Sequence, residues 1–260
     1  MRTRPLRIAV PAAVTALLLT ACSSTANDTS GEDVNLITEG TLTVCTNPPY
    51  EPFEYEEDGE VVGLDIDIVQ EIADDLGVDL EVKVTPFEGI QSGEDLNSGN
   101  CDLVASGITI NEEREGKMDF TEPYFDADQG LLVPAGSGLA SLEDLEGLTV
   151  GVQQATTGLA WAEEQGLTIV EFEDLGLQVE ALRSDQVDAI INDIAVLGPF
   201  TDEDLEIGTL FPTGEQYGLG VKQGNTALLE AANQTLARIL TDGTYDEIYV
   251  KYIGTAPAAD

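Results

Sequence analysis

The amino-acid sequence predicts an α/β fold in which mostly parallel sheets are flanked by helices. Apolar, strand-like runs alternate with stretches that repeat apolar residues at helical spacing. This β-α-β order occurs twice, within residues 41–107 and again within residues 148–193, although no sequence repeat relates the two series. The chain has 260 residues, of which 42% are hydrophobic, so it can form two modest lobes or one large domain.

The first series begins with a predicted strand at Thr41–Thr46. A helix is predicted over Leu64–Leu76, because four apolar residues recur there at helical spacing and a glycine follows the last of them. A second strand is predicted over Leu80–Thr85, and a third begins near Cys101. Between those two strands, we expect residues 87–99 to form a loop and a short helix.

The second series and the rest of the chain contain apolar runs of the same kinds. We predict strands over residues 130–133, 148–152, 168–172, 188–191 and 217–221. We predict helices over residues 159–164, 174–184, 226–240 and 245–252. The ligand crevice of such a fold lies at the carboxyl ends of its parallel strands, where Asn47, Phe87 and Gly107 fall.

The stretch from Cys101 to Arg114 combines three kinds of polar group. The Gly107 backbone is open to close approach, Thr109 carries a hydroxyl, and Arg114 carries a guanidinium. A guanidinium matches a carboxylate bidentately, whereas carbonyl and hydroxyl oxygens accept hydrogen bonds from an ammonium. The stretch therefore suits a ligand that carries both groups. The alternative is that Arg114 lies on the surface and pairs with one of the adjacent glutamates.

The sequence is strongly acidic, with 50 acidic residues, 10 basic residues and no histidine. Three of the basic residues lie in the first seven positions, so removal of that end leaves a net charge of −43. A field of this sign argues against nucleic acid as a partner and disfavours anionic lipid headgroups. The lack of histidine removes the usual general base and the commonest metal ligand. We therefore expect no metal and no cofactor, and hydrolases are disfavoured.

The amino-terminal residues resemble a bacterial lipoprotein signal. Residues 1–22 contain a basic segment, a short apolar run and the ending Leu19-Thr20-Ala21-Cys22. The resemblance implies cleavage before Cys22 and lipidation of that residue, and the alternative is an ordinary secretory signal. Residues 23–35 are rich in small polar residues and are expected to form a flexible tether.

Two further cysteines, Cys45 and Cys101, form an even pair, which suggests a disulfide outside the cytoplasm. If their strands are parallel neighbours, the offset of the two residues along those strands would place the sulfur atoms too far apart. The sequence leaves both possibilities open.

The run Gly63–Ala73, GLDIDIVQEIA, is similar to the signature of the bacterial extracellular solute-binding proteins of the polar amino acid family. Further motifs that resemble this family occur in the expected order across most of the chain. They are Asn47-x-x-Tyr50-x-Pro52-Phe53, Gly107-Ile-Thr-Ile-x-x-x-Arg114, Asp119-Phe120-Thr121-x-Pro123-Tyr124, Leu148–Gln154, Gln216-Tyr217-Gly218 and Gly243–Tyr249.

The resemblance implies a two-lobed, periplasmic-binding-protein-like fold with two crossover strands as its hinge. Lobe 1 would comprise residues 36–125 and 218–254, lobe 2 residues 130–214, and the hinge strands residues 126–129 and 215–217. The implied function is that of a monomeric receptor outside the cytoplasm, attached to the membrane by its lipid anchor alone. It would bind a free amino acid by lobe closure and deliver it to the permease of an ABC-type importer.

The resemblance also implies which residues hold the ligand carboxylate. Arg114 would clamp it, together with the backbone amide of Thr109. From the second lobe, Thr156 and Thr157 would offer backbone amides at a helix N-terminus, where anions are favoured. The alternative is that both of these threonines are ordinary helix caps.

The ligand ammonium would bind the Gly107 carbonyl and the Thr109 hydroxyl, within the stretch that starts at Ser106. Asp193 would complete this ammonium site from the second lobe. The alternative for Asp193 is that its side chain caps the helix that follows it.

The side chain of the ligand would lie among four further residues. Tyr50 and Phe87 would sandwich its aliphatic part, unless these aromatic residues belong to the core. Asn47 and Gln153 would face its end. Members that bind cationic amino acids often have aspartate in place of Asn47, and Arg114 is the one basic residue placed at the pocket. We therefore expect a polar neutral amino acid such as glutamine, with a cationic amino acid second.

Two other functions are compatible with the same resemblance. Dehydratases of cyclic amino acid precursors, of the cyclohexadienyl or arogenate type, are similar to this fold and would need a general acid such as Glu51 or Glu88. A ligand-sensing domain of a larger receptor is the second alternative, and the lack of a second membrane span or signalling domain disfavours it.

Overall fold

The computed structural model describes residues 34–254, which all belong to one compact unit of the chain. The predicted signal, Cys22 and the tether through residue 33 lie outside the described residues. Among residues 34–254, no helix is both long enough and apolar enough to cross a membrane.

The strands of the described chain form two five-stranded sheets and a small hairpin. In chain order they are β1 (Thr41–Thr46), β2 (Tyr55–Glu57), β3 (Glu60–Val62), β4 (Asp79–Val84), β5 (Leu103–Val104), β6 (Met118–Phe120), β7 (Phe125–Pro134), β8 (Thr149–Gln153), β9 (Thr168–Phe172), β10 (Ala189–Asp193), β11 (Leu205–Tyr217) and β12 (Gly220–Lys222). The hairpin consists of β2 and β3.

The helices lie between the strands and at the carboxyl end of the described chain. They are α1 (Leu64–Leu76), α2 (Phe87–Gln91), α3 (Glu94–Asn97), α4 (Glu112–Glu115), α5 (Thr157–Glu164), α6 (Leu175–Arg183), α7 (Ile194–Leu197), α8 (Thr226–Asp242) and α9 (Thr244–Ile253), with 3-10 turns at Glu143–Leu145 and Gly198–Phe200. In α1 the predicted apolar face is buried, and Gly77 ends the helix in the left-handed conformation, with a φ of 69°.

The first sheet has the strand order β4-β1-β5-β12-β6. β1 pairs in parallel with β4 and β5, whereas β12 is antiparallel to both β5 and β6. One strand therefore runs against the other four. The carboxyl ends of β1, β4 and β5 meet at one edge, where the chain continues into Asn47, Phe87 and Gly107, as predicted.

The second sheet has the order β11-β7-β10-β8-β9. β8 is parallel to β9 and β10, and β7 is antiparallel to β10 and β11. Gln153 ends β8 and Asp193 ends β10, so these two predicted site residues lie at the same edge. β7 follows the first sheet's β6, and β11 leads back to β12, so these two long strands connect the sheets.

An aromatic cluster lies where the connecting strands adjoin the first sheet. The Phe53 ring centroid is 4.8 Å from that of Phe125 and 5.0 Å from that of Tyr217, both edge to face. Phe125 and Tyr217 stack at 5.6 Å. Phe53 and Tyr217 are completely buried. Such pairs contribute about 0.5–1.5 kcal/mol each beyond their burial, so the cluster fixes these ends of both connecting strands.

Cys45 and Cys101 form a disulfide, which decides the question that the sequence left open. Their Cα atoms are 5.7 Å apart. Cys101 lies just before β5 rather than within it. The predicted separation of the two sulfur atoms assumed that both cysteines lie within parallel strands, so it does not hold here. Both residues are buried in a small apolar cluster with Phe87 and Met118.

Candidate functional site

A small cavity of about 10 Å³ lies between the carboxyl-end edges of the two sheets. The first sheet and its loops contribute Asn47, Tyr50, Phe87 and Ser106, and the second contributes Gln153 and Thr156. All six residues belong to the set that the sequence placed around the ligand. A cavity of this size holds about one water molecule.

Arg114 lies beside this cavity and is only 3% exposed. Its guanidinium stands over the Phe87 ring, 5.3 Å from the centroid. It donates hydrogen bonds to the Thr109 carbonyl at 2.9 Å and to the Ala155 carbonyl at 3.2 Å. No carboxylate of residues 34–254 lies within ion-pair distance of it. The alternative of a surface ion pair with neighbouring glutamates is therefore wrong.

The position of Arg114 follows from a short helix with a strong cap. The Asn111 side chain accepts a hydrogen bond from the Arg114 backbone amide at 2.9 Å and so begins α4. Burial lowers the pKa of Arg114, and the charges of Asp193 and Glu215 act in the opposite direction. A buried guanidinium bonded to neutral carbonyls retains its full charge for an anionic ligand.

Asp193 provides the opposite charge and is 6% exposed. Its carboxylate accepts a hydrogen bond from the Tyr50 hydroxyl at 2.9 Å, and further ones from the Tyr217 hydroxyl and the Gln129 amide. It makes no capping bond to α7, so the alternative of a helix cap is wrong. Burial raises the pKa of Asp193 to about 6. Tyr50 reaches it from the other sheet, so this bond joins the two edges.

The backbone at Gly107 is fixed by the buried carboxylate of Asp65, near the start of α1. Asp65 accepts hydrogen bonds from the Gly107 amide at 2.9 Å and from the Tyr124 hydroxyl at 2.6 Å. Gly107 has a φ of 48°, and a Cβ atom there would lie 2.6 Å from the Tyr50 ring. Glycine is therefore required at this position both by the backbone conformation and by the contact.

Ser106 and Asn47 are tied to a second buried acid, Glu54, which sequence reasoning missed. The Ser106 hydroxyl donates to Glu54 at 2.6 Å and accepts from the Asn47 backbone amide at 3.1 Å. Burial raises the pKa of Glu54 well above its usual value, and the nearby Asp65 raises it further. Glu54 follows the Pro52-Phe53 motif, but nothing in its sequence context marks it as buried.

The remaining predicted residues have mixed placements. Thr156 caps α5, because its hydroxyl accepts from the Leu159 amide at 3.1 Å and donates to the Gln153 carbonyl at 2.7 Å. Its side chain therefore has the capping role given as its alternative. Thr157 begins the helix, so its backbone amide lies at the helix N-terminus. Thr109 is buried, and its backbone bridges to Tyr217.

The site also contains three residues that were not predicted to belong to it: Tyr217, Gln129 and Asn192. The Asn192 oxygen lies 2.9 Å from the Tyr50 hydroxyl, whose single hydrogen it shares with the adjacent Asp193 carboxylate. Tyr217 and Gln129 reach Asp193 from the two connecting strands. Tyr217 lies within the motif Gln216-Tyr217-Gly218, which resembles the family. This motif was the one feature of the sequence that could have identified Tyr217 as a site residue.

The structure does not support the general acids named for a dehydratase. Glu51 and Glu88 are both exposed, and neither lines the cavity. Within the described residues, no cluster of acidic, cysteine or histidine side chains could hold a metal ion.

Comparisons with known proteins place the chain among bacterial receptors for small solutes. A sequence profile for bacterial extracellular solute-binding proteins, family 3, matches residues 42–255. A probable histidine-binding protein of Neisseria gonorrhoeae is 31% identical over 256 residues, with 94% of each chain covered. The glutamine-binding protein GlnH of a Bacillus subtilis ABC transporter is 37% identical over 209 residues, with 77% of this chain and 76% of the relative covered.

Solved structures agree with these relatives. An ancestral arginine-binding protein bound to arginine is 39% identical and superposes with a TM-score of 0.77, covering 83% of this chain and 99% of that one. The curated relatives are named as binding proteins rather than as enzymes. The two-sheet α/β fold, the matched profile and these relatives together show that the chain belongs to the bacterial extracellular solute-binding proteins of family 3.

Proposed function

We propose that this protein binds a free amino acid outside the cytoplasmic membrane and delivers it to an ABC-type importer. The observation that carries the proposal is a pair of opposite, buried charges, Arg114 and Asp193, each contacting the wall of one cavity. An α-amino acid presents a carboxylate and an ammonium only a few ångströms apart. The family membership and the relatives' names, which include histidine-binding and glutamine-binding proteins, support the same class of ligand.

In this proposal Arg114 binds the carboxylate through guanidinium donors and exchanges its bond to the Ala155 carbonyl for a charged partner. The backbone amides of Thr109 and Thr157 assist it. Asp193 accepts from the ammonium and gives up the Tyr50 hydroxyl in return. Charge-assisted hydrogen bonds contribute about 1.5–3 kcal/mol each, so four of them contribute about 6–12 kcal/mol, a range that includes the roughly 8 kcal/mol of micromolar binding.

Opening and closing of the two lobes admits the ligand. The cavity of about 10 Å³ is too small for an amino acid, so its walls must separate before the ligand enters. We assign lobe 1 to residues 36–125 and 218–254 and lobe 2 to residues 130–214. The hinge then lies at residues 126–129 and 215–217, within the connecting strands β7 and β11.

The ligand that this cavity suits best is a polar neutral amino acid such as glutamine. Of the described residues that line the cavity, none is charged. Two of the lining residues, Asn47 and Gln153, carry amides that contact each other at 3.3 Å. A cationic amino acid is the second candidate, since amide oxygens also accept from a cation.

Membership of an extracellular family places the protein outside the cytoplasm. We propose that lipid on Cys22 attaches a monomeric receptor to the membrane, and that the small polar residues 23–35 serve as a tether. Labelling with a radioactive fatty acid in the native host tests this attachment, because a Cys22→Ser variant would lose both the label and the membrane fraction.

Calorimetric titration with each of the twenty standard amino acids tests the function directly. We expect one polar neutral amino acid to bind at micromolar concentration with one-to-one stoichiometry. The Arg114→Ala variant should lose most of this affinity. Absence of binding by all twenty would overturn the proposal, and a ligand whose binding is unaffected in Arg114→Ala would overturn the assignment of the site.

A further inference from the structure

Two buried amides behind the cavity wall, Gln178 and Asn192, are bonded in series to the wall amides Gln153 and Asn47. We call these four side chains the amide chain. The Asn192 amide nitrogen donates to Gln178 at 2.9 Å and to Gln153 at 3.4 Å. The Gln153 amide nitrogen donates in turn to Asn47 at 3.3 Å. Gln178 and Asn192 themselves do not line the cavity.

Backbone carbonyls fix the orientation of the amide chain at both of its ends. The Gln178 nitrogen donates to the Gly151 and Ile191 carbonyls, at 2.8 Å each. The Asn47 nitrogen donates to the Thr85 carbonyl at 3.0 Å. A carbonyl oxygen can only accept, so each terminal amide must turn its nitrogen to the backbone and its oxygen to the chain.

The centre of the amide chain has the same orientation for independent reasons. The Asn192 oxygen accepts from the Asp193 backbone amide at 2.8 Å, and a backbone amide can only donate. Its nitrogen must therefore face Gln178 and Gln153. Because the oxygen of Gln153 is held by Asn192, its nitrogen faces Asn47. Rotating any one amide would bring oxygen against oxygen or nitrogen against nitrogen.

The result at the cavity is a donor and an acceptor held side by side. The donor is the Gln153 nitrogen and the acceptor is the Asn47 oxygen, and their own bond of 3.3 Å is longer than the usual 2.9–3.0 Å. A carboxamide carries one acceptor and one donor in the same arrangement, so it can replace this long bond with two. A guanidinium would oppose the Gln153 donor, and a carboxylate would oppose the Asn47 acceptor.

We propose that Gln178 and Asn192 are positioning residues that, through Gln153, select a ligand side chain ending in a carboxamide over one ending in a guanidinium or carboxylate. This selection rests on the proposed function, because it requires an amino acid to occupy this cavity. It goes further by locating the preference in two residues that do not line the cavity.

The variant Gln178→Met tests the proposal without changing charge or volume greatly. It removes one acceptor of Asn192, so that the amide of Gln153 is less firmly oriented. We expect the affinity ratio of L-glutamine to L-arginine, and that of L-glutamine to L-glutamate, to fall at least threefold by calorimetry. Thr235→Val is the matched control, because it removes a buried hydrogen bond to Asp75 far from the cavity. It should lower thermal stability without changing either ratio.

Asn192→Asp is the second variant and decides the matter if Gln178→Met does not fold. A carboxylate here would make Gln153 turn its nitrogen away from Asn47, so the cavity end would present acceptors. We expect the preference to move at least tenfold towards L-arginine. Equal weakening of all three ligands in both variants would overturn the proposal, as would a wild-type preference for L-arginine or L-glutamate. If the wild type binds no amino acid, the proposed function itself fails, which is a distinguishable result.

Discussion

Replacement of Arg114 by methionine is expected to abolish tight amino acid binding while leaving the fold nearly as stable as before. These two effects separate because Arg114 is buried without a carboxylate of residues 34–254 within ion-pair distance. Among residues 34–254, the acceptors of its guanidinium are two neutral carbonyls, those of Thr109 and Ala155. We therefore expect its strongest partner to be the carboxylate of the proposed ligand.

The expected loss of affinity follows from the bonds that methionine cannot make. A bidentate guanidinium–carboxylate contact supplies two charge-assisted hydrogen bonds, at about 1.5–3 kcal/mol each. Their removal costs about 3–6 kcal/mol, and each 1.4 kcal/mol corresponds to about tenfold in affinity. The dissociation constant of the Arg114→Met variant should therefore rise by about two to four orders of magnitude.

The effect on stability contains two opposing contributions. Burying a guanidinium costs several kcal/mol of lost hydration, whereas its two bonds to carbonyls return about 1.5–3 kcal/mol each. Methionine avoids the cost of lost hydration but also loses the two hydrogen bonds, and it keeps the contact with the Phe87 ring. We expect the unliganded unfolding free energy to change by no more than about 2 kcal/mol, in either direction.

Calorimetric titration and differential scanning calorimetry measure the two effects on the same preparations. Arg183→Met provides the control, because Arg183 is a partly exposed residue of α6 that pairs with Asp202 away from the cavity. It should bind as the wild type does. Affinity of Arg114→Met within tenfold of the wild type would refute the assigned role. Failure of that variant to fold would refute the stability argument.

Four further predictions test other features. Asp193→Asn should lower affinity at least tenfold at pH 7, since the ligand ammonium loses its counter-charge. Burial raises the pKa of Asp193 to about 6, above the value of about 3.9 expected in the unfolded chain, so ionisation destabilises the unliganded fold as pH rises through this range. The Tm of Asp193→Asn relative to the wild type should therefore increase between pH 4 and pH 7, and a constant difference would contradict the pKa argument. Removal of the Cys45–Cys101 disulfide by a double alanine substitution should lower the unfolding free energy in denaturant by about 4 kcal/mol, given the sequence separation of 56 residues, with less than threefold change in affinity. Gly107→Ala should lower both affinity and stability, the latter by about 1–3 kcal/mol in denaturant melts, because its Cβ would meet the Tyr50 ring. Gly166→Ala is its control, with a similar φ and open space, and equal effects of the two would show that the Tyr50 contact is unimportant.

The sequence predicted the local elements of the fold well and the long connecting strands poorly. Helix α1 and strand β1 have the predicted bounds, because their apolar spacing is regular and a glycine or proline follows. The single strand predicted over residues 217–221 is interrupted in the structure, since β11 ends at Tyr217 and β12 starts at Gly220. Most of β11 was not predicted, because it contains Pro212 and Gly214 and its register shifts twice. Only its pairing with β7 makes this stretch a strand.

The candidate site shows a similar division. The six residues that line the cavity were all in the predicted set, since they follow strand ends or belong to motifs of the family. The residues behind them were not predicted. Asn192, Gln178 and Gln129 act through partners distant in sequence, and an amide in a strand or helix carries no local sign of such a partner. The burial of Glu54 likewise depends on how the chain folds around Ser106.

The Tyr50 hydroxyl that contacts Asp193 has a consequence for which molecules the receptor admits. This carboxylate already accepts hydrogen bonds from neutral hydroxyl donors. When the donor of an incoming molecule replaces the Tyr50 hydroxyl at Asp193, the binding free energy gained there is only the difference between the two hydrogen bonds. A protonated amine gains from its full charge, whereas an acetylated amine or an internal peptide nitrogen has no charge with which to displace the tyrosine. If Asp193 binds the ligand ammonium as proposed, we expect the receptor to discriminate against blocked amino acids and the interior of peptides by competition from its own side chain.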